Sequence, residues 1–400
     1  MDSKLAIITS HPIQYQTPIF KELFRNGEIE FCVYFGSRHG ISPDSRDTGF
    51  DRSFAWDIPL LEGYPYRFPN GLKYRDYSRR KWLLDIAGAR EILENDGITK
   101  VLLMVSWNTI LFWRIMDICR RKKLPLIYRG ETVPAHWRQS TRRERILGRL
   151  KVEMKKMIYP LFLKKMELFL TAGTLPEQFL LDHGVKPDRL LRAPYCVNNK
   201  YFSEGVEGCK KSGELQILQE ELSILPDEKV VIYTGKFIRR KRPADIITAI
   251  KKLPGSMKAV LVMVGDGVLM DEVRKEAEGD NRIRLVGFQN QKAIVKYYAL
   301  GDIFVLPSEY ETWGLSVNEA MASGLPVIVS EGCTCARDLV IPGKTGYSYP
   351  PGNVDLLVDR LERLLRDENL RGEIALNARK HIEHFSTEKT VRAIEKAVSI

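Results

Sequence analysis

Two glutamates and a knot of cations are the residues in this chain best placed to do chemistry. Glu311 and Glu319 lie in Pro307–Gly324, PSEYETWGLSVNEAMASG, with seven residues between them. Lys236, Arg239, Arg240, Lys241 and Arg242 crowd into Thr234–Pro243, TGKFIRRKRP. Each segment follows an aliphatic run, Ile303–Leu306 or Val230–Thr234, and precedes a helical pattern. Both therefore belong at the carboxyl ends of strands, where open α/β sheets bind ligands. A helix expected from Ser316 to just before Gly324 would aim the N–H groups of Gly314, Leu315 and Ser316 at a phosphate. Gly314 has no side chain to obstruct that approach. Cations beside such a helix start would neutralise the charge that builds on a diphosphate leaving group. Glu311, in the loop beside Thr312 and Trp313, is suited to accept hydrogen bonds from sugar hydroxyls.

Simpler roles compete for several of these residues. Ser316 and Glu319 have the spacing of a capping box, and Glu319 alone would be read that way. A basic run is by default a solvated turn; here its place at the sheet edge favours phosphate. Gly265-Asp266-Gly267 and Gly287-Phe288 follow two further strand-like runs, and Phe288 suits a tight turn as well as it suits packing on a nucleobase. In the first half, Ser10-His11-Pro12-Ile13-Gln14-Tyr15 follows the first strand, and Arg129-Gly130-Glu131 follows the Leu124 strand. His11, Gln14, Tyr15 and Glu131 are candidates for contact with a sugar or an acceptor, against a purely structural role for a lone loop histidine.

The elements that must position these residues alternate along the chain. Strand-like runs are Leu5–Thr9, Ile29–Phe35, Val101–Val105, Leu124–Tyr128 and Leu168–Ala172, then Val230–Thr234, Ala259–Val264, Ile283–Val286, Ile303–Leu306 and Val327–Ser330. Several lack alternation, as strands of a parallel sheet buried on both faces do. Helical patterns such as Ala244–Leu253 and Leu269–Glu278 lie between them. The reading is α/β: two Rossmann-like, doubly wound domains facing across a cleft. The boundaries expected are 1–196 and 213–386, joined by the polar, aperiodic stretch Val197–Ser212. A last helix from Thr387 through 400 is expected to cross back to the first domain.

The second half resembles family 4 of the retaining glycosyltransferases, which have the two-domain GT-B fold. The residues that carry the resemblance are Gly235-Lys236 with Lys241, Val264-Gly265-Asp266-Gly267, and Glu311-x-Trp313-Gly314-Leu315-x-x-x-Glu319-Ala320. The last matches the family's E-x7-E signature; the first half is similar in architecture only. The resemblance implies a nucleoside-diphosphate sugar as donor and a glycan or lipid-linked acceptor. It makes Glu311 the binder of donor-sugar hydroxyls, Glu319 the binder of the nucleotide ribose, and Lys236 and Lys241 the pair on the diphosphate. Lys236 stands where arginine is commoner. Gly314 and Leu315 would be backbone donors to the phosphate, with Gly235, Trp313 and Phe288 lining the donor, and His11, a further catalytic candidate, on the cleft floor beneath donor and acceptor. Transfer would retain configuration and need neither cofactor nor metal. No DxD triplet occurs, and His381 and His384 have no visible third ligand.

Charge divides the chain further. Residues 101–200 hold 20 Lys and Arg against 8 Asp and Glu, which accounts for the whole net charge of +11. Arg138–Lys165 interleaves ten of these cations with aliphatic residues at broadly helical spacing. That is a surface helix with one buried stripe or a peripheral contact with an anionic membrane. The start, MDSKLAIITS, runs straight into a strand, so no secretory leader is expected, and Val101–Trp113 is too short to span a bilayer. Six unpaired-looking cysteines agree with a cytoplasmic protein. A nucleic-acid binder is disfavoured, since no recognised module accompanies the basic excess. The remaining rivals are a nucleotide-sugar epimerase or hydrolase on the same fold, and a non-catalytic partner subunit of a glycan-assembly complex.

Overall fold

A computed structural model describes residues 4–69, 92–93, 97–130 and 157–400. The chain forms two compact units. Among the described residues, the first comprises those within Met1–Ser42, Leu60–Pro194 and Glu388–Ile400, the second Pro43–Pro59 and Tyr195–Thr387.

The first unit is built on a sheet of β1 (Lys4–Thr9), β2 (Glu30–Phe35), β5 (Tyr66–Arg67), β6 (Lys100–Met104), β7 (Leu126–Tyr128), β8 (Leu168–Thr171) and β9 (Leu190–Arg192). Their order is β5-β2-β1-β6-β7-β8-β9, every neighbouring pair parallel. Leu5 through Ile8 and Val101 through Leu103 are buried, which is why these strands read as unbroken apolar runs. The last helix, Thr387–Ser399, buries Val391, Ile394 and Ala397. It is fastened to the first unit by Asn26 Nδ2 donating to Glu395 Oε1 at 2.9 Å and Lys100 Nζ donating to Val398 O at 2.9 Å.

The second unit holds β10 (Lys229–Thr234), β11 (Ala259–Val264), β12 (Ile283–Gly287), β13 (Ile303–Leu306), β14 (Val327–Ser330) and β15 (Gly346–Tyr349), in the order β12-β11-β10-β13-β14-β15 and all parallel. Counted from β10 this is the order 3-2-1-4-5-6. The direction of winding reverses between β10 and β13, the place where doubly wound sheets open a crevice for a ligand. The two segments richest in candidate residues are the loops leaving those two strands.

Two expectations about organisation need correction. Residues 43–59, expected in the first domain, pack with the second unit, where β3 (Arg46–Asp47) and β4 (Arg52–Ser53) pair as a short antiparallel hairpin. The stretch 197–212, expected as a linker, is mostly the helix Asn199–Ser212, capped by Asn198 Oδ1 accepting from Tyr201 N and burying Phe202 and Val206. Its glycines hid the period. A Cβ on Gly205 would lie 2.7 Å from Val295 Cγ1, so glycine is what lets this helix close on Gln291–Leu300.

Candidate functional site

The loop after β13 pins the Glu311 backbone by two hydrogen bonds. Glu311 N donates to Gly332 O at 3.1 Å, and Glu311 O accepts from Thr334 N at 3.3 Å. The side chain is 8% exposed, and its Oε1 meets Lys241 Nζ at 2.8 Å and Arg240 Nη1 at 3.0 Å. Arg240 also donates to Tyr310 O at 3.2 Å, while its own carbonyl accepts from Glu309 N at 2.7 Å. The loops flanking the switch point are thus tied by charge-assisted hydrogen bonds. Two cations on one carboxylate leave the cluster net positive, suited to an anionic ligand. Of the five cations in TGKFIRRKRP, Lys241 was expected with Lys236 on the diphosphate, and nothing in the sequence distinguished Arg240 or pointed to the pairing of either with Glu311. Arg242 turns elsewhere: its guanidinium is bidentate to Asp245, at 2.7 and 3.0 Å.

The helix that follows is Leu315–Ala322, one residue earlier than expected, with Gly314 as its cap at φ 109°. Any other residue would be strained there, and a Cβ would lie 3.0 Å from Leu306 Cδ2. No side chain caps the helix, so the expected Ser316–Glu319 capping box does not form. Glu319 looks the other way. Its Oε2 accepts from the Tyr298 hydroxyl at 2.7 Å, and that hydroxyl lies 2.7 Å from Thr234 Oγ1. Burial pushes the Glu319 carboxyl up to about 7, against the Tyr298 hydrogen bond and the Lys241 charge, which pull it down. Trp313 is turned inward, 2% exposed, with Nε1 donating to Asn318 Oδ1 at 2.8 Å and its ring against Tyr195 and Phe385. Its place is in the packing beneath the helix start.

Lys236 has a partner that local sequence did not indicate. Its ammonium sits 2.8 Å from both oxygens of Asp47 and 4.7 Å from the Phe50 ring centre. Burial acts to raise the Asp47 carboxyl, but the Lys236 charge and the hydrogen bonds from Lys236, Phe50 N and Gly49 N outweigh it and hold it below its ordinary value. The expected pair is therefore divided: Lys241 faces Glu311, Lys236 faces Asp47. Gly235 donates its amide to Val264 O at 3.0 Å, within the sheet edge. Phe288 packs against Phe54 at 4.6 Å and Phe50 at 4.9 Å, with the Arg52 guanidinium 4.7 Å from its ring centre. Residues 47–54 thus meet both Lys236 and Phe288.

In the first unit, His11, Gln14 and Tyr15 fall where expected, in the turn between β1 and the helix Thr17–Asn26, and all three are partly exposed. His11 Nδ1 is 2.9 Å from Ser10 Oγ, and its ring meets His39 edge-on at 5.1 Å. Buried Gln16, which no motif in the sequence marks, fixes the turn by accepting from Thr9 Oγ1 at 3.0 Å. Glu131 lies outside the described residues, as does most of the basic segment 138–165. Among the described residues no cluster of three His, Cys, Asp or Glu is arranged to hold a metal ion. His381 Nε2 is engaged with Asp338 O at 2.9 Å. Among the same residues no helix is long and apolar enough to cross a membrane.

Residues 216–381 match the family model described as glycosyl transferases group 1. The chain is 34% identical over 164 residues to a sulfoquinovosyl transferase of Arabidopsis thaliana, covering 40% of this chain and 31% of that protein. It is 31% identical over 217 residues to the N-acetyl-alpha-D-glucosaminyl L-malate synthase of Bacillus anthracis, covering 53% and 54%. The chain thus spans about half or less of the length of these relatives. Among solved structures, a glycosyltransferase of Rickettsia africae superposes with a TM-score of 0.74 at 15% identity, covering 99% and 98% of the two chains. Anabaena HepE in complex with UDP and glucose gives 0.72 at 15% identity, covering 99% of each. These likenesses establish the fold: two Rossmann-like α/β units, as in GT-B glycosyltransferases.

Proposed function

We propose that this chain is a retaining, metal-independent glycosyltransferase of family 4, moving a sugar from a nucleoside-diphosphate sugar to a glycan or lipid-linked acceptor. The observation that carries the reading is the Glu311–Lys241–Arg240 cluster at the switch point of the second unit, beside a glycine-capped helix start.

Each part has a task in that reaction. The free amides at the start of Leu315–Ala322 and the Lys241 ammonium stabilise the diphosphate as the sugar bond breaks and negative charge gathers on its terminal oxygen. Glu311 accepts from donor-sugar hydroxyls, its carboxylate fixed by two cations so that little reorganisation is needed. Glu319 accepts from the ribose. Lys236, next to the same strand end, is paired with Asp47 and plays a smaller part in holding the diphosphate. With no second carboxylate assigned as nucleophile, the incoming hydroxyl attacks the face that the leaving group vacates, and a leaving phosphate oxygen takes its proton. That course retains configuration. His11, Gln14 and Tyr15, at the carboxyl edge of the first unit's sheet, are assigned to the acceptor side. The cationic excess of residues 101–200 supports a cytoplasmic protein in peripheral contact with anionic lipid.

The test is release of nucleoside diphosphate from a panel of donors, followed with and without candidate acceptors. Acceptor-dependent release, with an unchanged anomeric centre in the product, is expected. Equal release without acceptor points to a hydrolase. Binding without turnover on any acceptor points to a non-catalytic partner subunit.

A further inference from the structure

Three elements that are far apart in sequence meet at one hydroxyl. Tyr298, near the end of the helix Gln291–Leu300, is 0% exposed, its ring packed against Phe202 and Phe304. Its hydroxyl lies 2.7 Å from Thr234 Oγ1, on the last residue of β10, and 2.7 Å from Glu319 Oε2 in the helix Leu315–Ala322. A buried hydroxyl must be hydrogen-bonded, and here both of its partners are polar groups at the carboxyl edge of the sheet. An ionised Glu319 only accepts, so the phenol donates to it. The threonine hydroxyl then donates to the phenol oxygen.

We propose that Tyr298, backed by Thr234, is a positioning residue that fixes the Glu319 carboxylate for the nucleotide ribose. The inference rests on the assignment of Glu319 to the ribose. Committing Oε2 to the phenol restricts rotation of the carboxylate and leaves Oε1 for the vicinal ribose hydroxyls. The same hydrogen bond favours the ionised form, which is the form that can accept from both hydroxyls. The titratable groups set against Glu319 are Tyr298, Lys241 from the loop after β10, and Tyr201 from the helix Asn199–Ser212. Lys241 acts in the same direction as Tyr298. Burial acts against both. Removing the phenol hydroxyl therefore misorients the carboxylate and leaves more of it protonated near neutral pH.

The experiment is calorimetric titration of the full chain with UDP, GDP, ADP and dTDP from about pH 6 to about pH 9, for wild type, Tyr298→Phe, Thr234→Val and Glu319→Gln. Phenylalanine keeps the ring, so packing against Phe202 and Phe304 is retained. With the nucleotide that wild type binds, Tyr298→Phe is expected to lose about tenfold in affinity near neutral pH, the scale of one hydrogen bond to a charged group. Part of that loss returns at high pH, and the midpoint of the pH profile moves up. Thr234→Val shifts the profile in the same direction by less, and tests the inference even if Tyr298→Phe folds poorly. Glu319→Gln loses both the affinity and the pH dependence. A Tyr298→Phe protein that binds with wild-type affinity and an unmoved profile, while Glu319→Gln is impaired, overturns the positioning role. If Glu319→Gln binds as wild type, the ribose assignment itself falls, and the inference with it.

Discussion

Lys236 and Lys241 stand five positions apart in one loop, at the end of one strand, yet they are held in quite different ways. Lys241 is 12% exposed and reaches across the switch point to Glu311, the carboxylate that leaves the neighbouring strand β13. Lys236 is 29% exposed and reaches to Asp47, which arrives on a hairpin from an earlier part of the chain. The first pairing is a consequence of sheet order, because β10 and β13 are adjacent and their loops must meet. The second depends on where residues 43–59 dock. One basic motif thus contains a cation built into the crevice and another neutralised by a partner from a distant hairpin.

Substitutions at the two lysines and their partners should have unequal costs. The largest effect is expected at Glu311. Glu311→Gln keeps the shape but removes the charge that gathers Lys241 and Arg240, and turnover should drop by about 10²–10³, the scale seen when a fixed electrostatic group is lost. Single-turnover rates on a saturating donor would check it. Next come the lysines themselves. Lys241→Met should weaken nucleoside-diphosphate binding by roughly ten- to a hundredfold, one charge-assisted hydrogen bond. Lys236→Met should weaken it by only about threefold, because Asp47 already neutralises that ammonium. A larger loss at Lys236 would reverse the contrast between the two lysines.

Stability should respond elsewhere. Trp313→Phe removes the donor to Asn318 Oδ1, whose residue is 0% exposed, and should cost about 1–3 kcal/mol in denaturant unfolding while leaving nucleotide affinity unchanged. Asp47→Asn should cost less, up to about 1 kcal/mol near neutral pH, since both partners are partly exposed. The folded-state value for Asp47 is depressed, so its contribution is fully present above the unfolded carboxylate range near about 4 and lost as pH falls through the lower folded value. Unfolding curves of the variant and the wild type should therefore converge at strongly acid pH.

The ten principal strands were legible because strands buried on both faces are written as unbroken aliphatic runs. Short β5, β9 and β15 were not, being two to four residues long and carrying Tyr, Arg or Ser. The Glu311 loop was legible for the same reason as β13, which it follows directly. Its closest cation beyond Lys241 was not, because five cations within seven positions give no sign of which two will point inward. Tyr298 left no local mark at all: in QKAIVKYYAL it reads as one more apolar residue of a half-buried helix. Asp47 was hidden by distance, since no pattern within 43–59 says that this hairpin packs with a sheet that begins at Lys229. Trp313 and Ser316 misled in the opposite sense, because motif position suggested a ligand contact and a cap where packing and Gly314 decide.

A donor site at the switch point is tested by thermal-shift titration of wild type and Lys241→Met with UDP-, GDP-, ADP- and dTDP-sugars. A ligand that binds the folded state raises the melting temperature with its excess over Kd. One base should give a clear shift in the wild type, and that shift should shrink in Lys241→Met. No shift with any nucleotide sugar, or one that Lys241→Met leaves unchanged, would contradict a donor site at the switch point between β10 and β13.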